Sequence, residues 1–560
     1  MTAEQVFFAI TISAILVFLG SGFVFANKVL SGITKTIFLF MVVVQAGLAA
    51  LYLFSITITG PSFWKWFFHI HAELNAGAMY GATQLMAVCL LAMLNSVVVP
   101  GRVWQRVFWL ILAAIFLLLS LDEYFVIHED VIGLDKFRIP YIIFGVSLAI
   151  FCALAWWFGF RRETALLSAL LSGLGLIGFG GLLYEPFVLW PRICPLVGSV
   201  CPGYYVYGET METFGATLVL TGFLSYAQRR LDRLQMEKVA KALLLVGGIW
   251  FSYLAANTWL LPAIEARTLA APLSIEYENG LVKLIGYTVS PSVIRGSSSI
   301  RVTLYWLASQ TLERDYNISV HLLSQPDMSS VAQDDWISSA ELNVYPSVDW
   351  LPGIPVRTVF SVELPKDLAT SRSYLLIARL WSGNDSAISV TDADRPLLTS
   401  DTVILQSLPA LSTAPPPSPA SASQYQFASG LILYGYNLPQ RIAPGQSLTV
   451  GFWWRKNSAF NAAPSQFLHL VASDRSPLVF DQPPFRGTFP IPDWPIGVDI
   501  MDQWVVSLPS EAWPGNYDVY SGLYEWPSLL RLSVTDANGQ PMPNNEVRLG
   551  MVELRSGAQP

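Results

Sequence analysis

Charge is what this chain has least of. Asp, Glu, Lys and Arg make up 13% of its 560 residues, and hydrophobic residues make up 53%. Soluble proteins carry roughly 25% charged and about 45–50% apolar residues. The formal net charge is −7, which excludes a nucleic-acid binder that relies on a basic field. Cysteine is scarce as well: all four cysteines lie within the first 201 residues, so the remainder must hold its fold by packing, without disulfides. Five histidines occur, none of them between residues 129 and 320. There is no His-Glu-x-x-His, no Gly-x-Ser-x-Gly and no phosphate loop, which removes the familiar metalloprotease, serine-hydrolase and nucleotide-hydrolase signatures.

The shortage is uneven. The first 265 residues hold 29 charged side chains and net +1, whereas the last 295 hold 44 and net −8. Crossing a bilayer takes about 20 mainly apolar residues. Eight stretches qualify, near 5–26, 36–58, 75–97, 107–125, 139–159, 164–189, 209–227 and 242–262. An eight-helix transmembrane bundle is therefore expected over residues 1–265, surrounded by a lipid bilayer. Small residues such as Gly173, Gly180 and Gly181 allow helices to approach closely where no water drives them together.

Lys and Arg concentrate in cytoplasmic loops. One alternate set of loops holds Lys28, Lys35, Arg102, Arg106, Arg161, Arg162, Arg229, Arg230, Arg233, Lys238 and Lys241; the other holds only Lys65, Lys136, Arg138 and Arg192. The expected threading puts the first set inside, with the N-terminus and everything after the eighth span on the extracytoplasmic side of the inner membrane. Glu4 precedes the first apolar run and Lys28 follows it, the reverse of a cleavable signal, so a retained helix is expected. Cys194 and Cys201 share a short outer loop, where disulfides persist, and are expected to be bridged. Cys89 and Cys152 fall within spans as small apolar residues.

Beyond Pro262 the pattern becomes short alternating runs such as Ile300-Arg-Val-Thr-Leu-Tyr-Trp306, broken by turn residues. This indicates antiparallel β-sandwiches. A Pro/Ser/Ala-rich stretch, 409–424, reads as a semi-rigid linker, and the sequence repeats on either side of it. Leu284-Ile-Gly-Tyr287 is echoed by Leu433-Tyr-Gly-Tyr436, Val302–Trp306 by Val450–Trp454, His321 by His469, and Tyr345-Pro-Ser-Val-Asp-Trp350 by Phe489-Pro-Ile-Pro-Asp-Trp494. Two all-β, immunoglobulin-like sandwich modules are expected, at 266–408 and 425–560. Their order of Gly-Tyr, Trp-bearing strand, His-Leu and Asp-Trp resembles the β-sandwich modules appended to bacterial multispanning membrane proteins, including lipid-linked-sugar glycosyltransferases. Those enzymes usually carry acids in a large outer loop after the first span; here Asn27–Lys35 is short and has none. His321 and His469, mid-strand among apolar residues, read as packing histidines.

The expected topology gathers acids and imidazoles at the outer end of the bundle. His69, His71 and Glu73 precede the third span, Asp122, Glu123, His128 and Glu129 close the fourth, and Glu209 and Glu212 open the seventh. Ionisable groups in spans are costly and are functional candidates by default. Inward carboxylates and imidazoles from facing helices can hold two iron or manganese ions. Three imidazoles with one carboxylate would equally suit zinc. The candidate metal ligands are His69, His71, Glu73, Asp122, His128, Glu209 and Glu212, and the candidate catalytic residues are Asp122, Glu123 and Glu129. The same acids also fit a structural role, as helix N-terminal charges or as partners of Lys136, Arg138 and Arg192.

Leu121-Asp-Glu resembles a motif in membrane hydrolases related to alkaline ceramidases, which hold zinc with three histidines and an aspartate. That resemblance implies Asp122 with His69, His71 and His128 as ligands; the family's late-helix His-x-x-x-His has no counterpart here. Two functions stay open. One is metal-assisted hydrolysis of a lipid or lipid-linked substrate. The other is a non-enzymatic surface or assembly subunit whose modules bind glycan, envelope polymer or protein partners through Trp381, Trp504, Trp513 and Trp526.

Overall fold

A computed structural model describes residues 3–55, 67–68, 75–98, 103–125, 138–184, 205–338, 346–383, 386–427 and 430–555. The N-terminal half of these is helical. Its helices are α1 (Ala3–Val29), α2 (Gly32–Ser55), α3 (Ala76–Val98), α4 (Val103–Phe125), α5 (Arg138–Ala155), α6 (Thr164–Gly178), α7 (Tyr205–Gln228) and α8 (Arg233–Thr268). α5 continues into a π-helical turn, Trp156–Phe160. α8 opens with a capping box, in which the Asp232 carboxylate accepts from the Gln235 N–H at 2.7 Å and the Gln235 side chain accepts from the Asp232 N–H at 2.9 Å. Such reciprocal caps satisfy donors that the first turn leaves orphaned.

Among the described residues, seven helices are long and apolar enough to cross a membrane, and this half fits a polytopic membrane protein. The exception is α7, although an apolar run there predicts a span. The reason is its position. α7 packs against α2, α3 and α6 and buries much of its length, so it has little need of a lipid-facing surface and tolerates Glu209, Thr210, Glu212 and Thr213. Large apolar side chains are exposed instead on the outer helices, as at Val17, Phe54, Leu118, Phe158 and Leu244.

Two devices hold α7 in place. Glycines bring it against α6: a Cβ at Gly215 would lie 2.5 Å from the Gly173 carbonyl oxygen, and one at Gly180 would lie 2.5 Å from that of Gly208. Amides then stitch it to its other neighbours. Gln45 of α2 donates to the Thr217 hydroxyl at 2.9 Å, Gln84 of α3 donates to the Thr213 carbonyl at 3.0 Å, and Asn95 donates to the Phe223 carbonyl at 3.2 Å. Cys89 and Cys152 are free and buried.

The C-terminal half is all β. One sheet runs β6 (Val356–Glu363), β3 (Ser299–Ala308), β2 (Val282–Ser290), β1 (Ala271–Tyr277), β9 (Val390–Ala393). Its partner runs β10 (Leu397–Thr399), β11 (Thr402–Ala410), β7 (Arg372–Ser382), β4 (Asn317–Ser324), β5 (Ser330–Trp336), with β8 (Ser386–Ala387) beside β7. Leu284 and Trp306 of the first sheet share one core with Leu322 and Leu376 of the second, which makes the pair a sandwich.

The second sandwich follows a similar plan, apart from one edge strand that runs parallel to its neighbour here and antiparallel in the first. One sheet runs β18 (Asp499–Ser507), β15 (Ser447–Lys456), β13 (Leu431–Asn437), β12 (Ser421–Phe427), β20 (Val534–Thr535). The other runs β14 (Arg441–Ile442), β21 (Val547–Leu554), β19 (Gly515–Tyr524), β16 (Ser465–Val471), β17 (Leu478–Gln482). Leu433, Trp454, Leu468 and Val519 share its core.

The glycine of each Gly-Tyr pair sits beside a register shift, between Leu284 and Gly286 and between Leu433 and Gly435. The chain entering the sandwich passes over it. A Cβ at Gly286 would come within 2.9 Å of the Ala270 methyl, and one at Gly435 would strike the Pro419 ring. The Pro417 carbonyl also accepts from the Trp453 indole at 2.6 Å, so this part of the Pro-rich stretch lies against the second sandwich.

The first sandwich is fastened to α8. The Arg357 guanidinium on β6 donates to both Glu265 oxygens at 3.1 Å and to the Asn257 side chain at 3.2 Å. Tyr305 on β3 donates to Glu265 at 3.2 Å. Burial, and then the Glu265 charge, push the Tyr305 phenol up to about 12, so it remains a donor at neutral pH.

Candidate functional site

The ends of α2, α4 and α8 and the beginnings of α3, α5 and α7 meet at the end of the bundle from which the β half continues. Tyr124 of α4 marks the junction: its hydroxyl bonds the Leu254 carbonyl at 2.6 Å and the Thr258 hydroxyl at 2.5 Å, both on α8. Asp122 and Glu123 stand beside it in the last turns of α4. Asp122 accepts from the Tyr141 hydroxyl of α5 at 2.8 Å. Glu123 turns toward α3, where a Cβ at Gly81 would collide with its carboxylate.

Glu209, near the start of α7, lies within electrostatic reach of Glu123, as does Asp122. It also acts on Tyr52, a fully buried side chain near the end of α2. Three carboxyl groups from two helices therefore converge. Glu212, one turn further along α7, faces α6, and a Cβ at Gly181 would lie 2.8 Å from its carboxylate oxygen. Glu209 and Glu212 therefore face different neighbours.

His69, His71, Glu73, His128 and Glu129, together with Cys194 and Cys201, lie outside the described residues. Among the described residues, no group of three or more His, Cys, Asp or Glu is placed to hold a metal ion. Like charges gathered in a medium of low dielectric are relieved by a bound proton or by a counter-charge. Glycine at position 81 and tyrosines at 52 and 141 are parts of this site that sequence reasoning missed. A Tyr near a helix end was the available signal; the place of Gly81 opposite Glu123 appears only in the packed bundle.

An apolar groove of about 320 Å³ opens between α1 and α2, lined by Phe8, Ile12, Leu16, Ala50, Leu53 and Phe54. Leu53 and Phe54 lie in the last turn of α2. The groove's apolar lining suits a hydrocarbon chain.

In the β half, His321 is half-buried and shares a 3.1 Å hydrogen bond with Ser330, and His469 lies 3.3 Å from Asp481. Neither belongs to a cluster of metal ligands among the described residues. Of the four tryptophans expected at the surface, Trp504 is instead fully buried and donates to Asp502 at 2.9 Å; its place on the core face of β18 explains the error. Trp381 is partly buried and donates to Ser319 at 3.0 Å. Trp513 and Trp526 are each 71% exposed.

Residues 36–227 match the model of a family described as a domain of unknown function (DUF8692). No curated protein matches the chain. Among solved structures, it is similar to a putative membrane anchored protein from Corynebacterium diphtheriae, at 13% identity and a TM-score of 0.14, covering 49% of this chain and 58% of that one. It is also similar to a marsupial T cell receptor, at 12% identity and a TM-score of 0.14, covering 49% of this chain and 72% of that one. The chain thus spans little more than half the length of the first of these structures.

Proposed function

We propose that the helical half is a membrane hydrolase of lipid or lipid-linked substrates, with its site at the end of the bundle that carries the β modules. The observation that supports this reading best is the convergence of Asp122, Glu123 and Glu209 at one end of the bundle. Paired carboxylates can take a proton from an attacking water and return one to a leaving group. Tyr141 orients Asp122, and Gly81 leaves room for the Glu123 side chain. His69, His71, His128 and Glu73 would complete a set of ligands for a divalent ion, zinc or iron or manganese. Such an ion would supply Lewis acidity.

The surplus of arginine and lysine in one set of loops supports a threading that puts this site and both modules on the extracytoplasmic side of a cytoplasmic membrane. The matching strand orders support a duplicated, immunoglobulin-like module. A second reading rests on Trp513 and Trp526: exposed tryptophans of this kind suit binding of glycan, envelope polymer or a partner subunit.

Metal analysis of the purified protein, with turnover of a panel of lipids, tests the first reading. Stoichiometric metal and turnover, both lost in an Asp122→Ala, His128→Ala double variant, are expected. No metal, and no difference between the variant and the parent, would leave the binding reading alone.

A further inference from the structure

The opposite end of the bundle carries a different chemistry. Arg161, Arg162 and Glu163 connect the π-helical turn to α6, and Arg229 and Arg230 follow the end of α7. Four guanidinium groups there meet one carboxylate. Gln105, Trp157, Tyr226 and three of the arginines are among the residues that line a cavity of about 390 Å³.

Part of this charge is already engaged. Glu163 pairs with Arg229 and, at 2.7 Å, with Arg230. Burial opposes the Glu163 charge, but the two arginines outweigh it and hold its carboxyl below the usual range. It therefore stays ionised at neutral pH and cancels one positive charge of four. Arg230 also donates to the Tyr226 carbonyl at 3.0 Å and lies 3.5 Å over the Tyr226 ring. Arg161 donates to the Trp157 carbonyl at 2.8 Å and lies 3.8 Å over the Trp157 ring.

Much of it is not engaged. The buried Nε of Arg230 has no partner among the described residues. Arg162 is exposed and, among the described residues, enters no ion pair. Sidedness alone would need only positive charge in the turns. It would not need two guanidiniums pinned on aromatic rings around a cavity.

The rim of the cavity identifies the occupant. Trp157 is 54% exposed and Phe158 76% exposed on the outer surface of the bundle, which is where an aromatic belt meets the headgroup level. We propose that this cavity binds the phosphate of an anionic glycerophospholipid. Arg161, Arg162 and Arg230 hold the phosphate, and the acyl chains lie along Trp157 and Phe158. A planar guanidinium fork matches phosphate oxygens in a way that an ammonium does not. Basic pockets between transmembrane helices are suited to such headgroups.

Native mass spectrometry of the purified full-length protein tests this, with phosphatidylglycerol, phosphatidylcholine and inorganic phosphate as separate probes. Phosphatidylglycerol should be retained over phosphatidylcholine. Arg162→Gln should weaken retention about fivefold, the factor expected of one arginine at an anionic surface, and adding Arg161→Gln should weaken it further. Arg301→Gln, at an exposed position on β3, should change nothing. Equal retention of the two lipids, or undiminished retention in the Arg161/Arg162 double variant, would overturn the proposal. Displacement of the lipid by inorganic phosphate would overturn it too, by making the cavity a site for free anions.

Discussion

Arg357 of the first sandwich and Glu265 of the last membrane helix are joined across 92 residues of chain, with one guanidinium nitrogen 3.1 Å from both carboxylate oxygens. Each side chain is less than a third exposed. The pair fixes the first β module on the end of the bundle where Asp122, Glu123 and Glu209 meet. Arg357→Ala should loosen that joint by about 1.5–3 kcal/mol, the range for hydrogen bonds to charged groups. Hydrogen exchange in the last turn of α8 and in β6 should rise in the variant. The charge-exchanged double variant, Arg357→Glu with Glu265→Arg, should recover part of the loss.

Gly81 leaves room for the Glu123 carboxylate. Gly81→Ala drives a methyl group into the Glu123 carboxylate and should cost about 1–3 kcal/mol, as overpacking does. If the carboxylate site carries the function, lipid turnover should fall much further than thermal stability. A variant with full turnover would show that the position of Glu123 does not matter.

Trp504 and Trp513 lie in the same sandwich but should respond in opposite ways. Trp504→Ala empties a buried core position and should destabilise the second sandwich by about 3–5 kcal/mol. Trp513→Ala and Trp526→Ala should leave its melting temperature nearly unchanged. If the exposed pair binds glycan or a partner, those two variants should lose that binding in a pull-down from envelope extracts.

Asp502 makes the second sandwich sensitive to pH. Burial raises its carboxyl from 3.8 to about 6, against the lowering effect of hydrogen bonds from the Phe485 N–H and the Trp504 indole. A folded value above the unfolded one gives stability that is fully present below about 4 and is lost as pH rises through about 6. Moving from pH 7 to pH 5 should therefore strengthen this module by about 1 kcal/mol through this group. Asp502→Asn should remove that increment, read by hydrogen exchange of β18 in the intact protein.

Much of the architecture is legible in the sequence because it follows from period and length. Apolar runs mark the helices, alternating runs mark the strands, and the paired Gly-Tyr and Asp-Trp segments foreshadow sheets of matching order. α7 is less apolar than the other helices for a physical reason: it meets protein along much of its length, so its Thr and Glu residues do not make it any less a member of the bundle. The site is less legible. Asp122 and Glu123 stand out as acids at a helix end, yet nothing in the sequence pairs Asp122 with Tyr141 or Glu123 with Gly81, because such contacts depend on how helices rotate against one another. The same holds for Arg161, Arg162, Arg229 and Arg230. They are legible as a marker of sidedness, but the cavity that three of them line appears only when α5, α6 and α7 are packed.

Sidedness is the claim on which the proposed site depends, and single cysteines measure it directly. In a background lacking the four native cysteines, Ser412→Cys between the two sandwiches and Arg233→Cys at the start of α8 would each be treated with a membrane-impermeant maleimide on intact cells. The proposed threading predicts labelling at position 412 and none at 233 until the membrane is opened. Labelling at 233 with protection at 412 would place the carboxylate end and both modules in the cytosol and contradict the proposal.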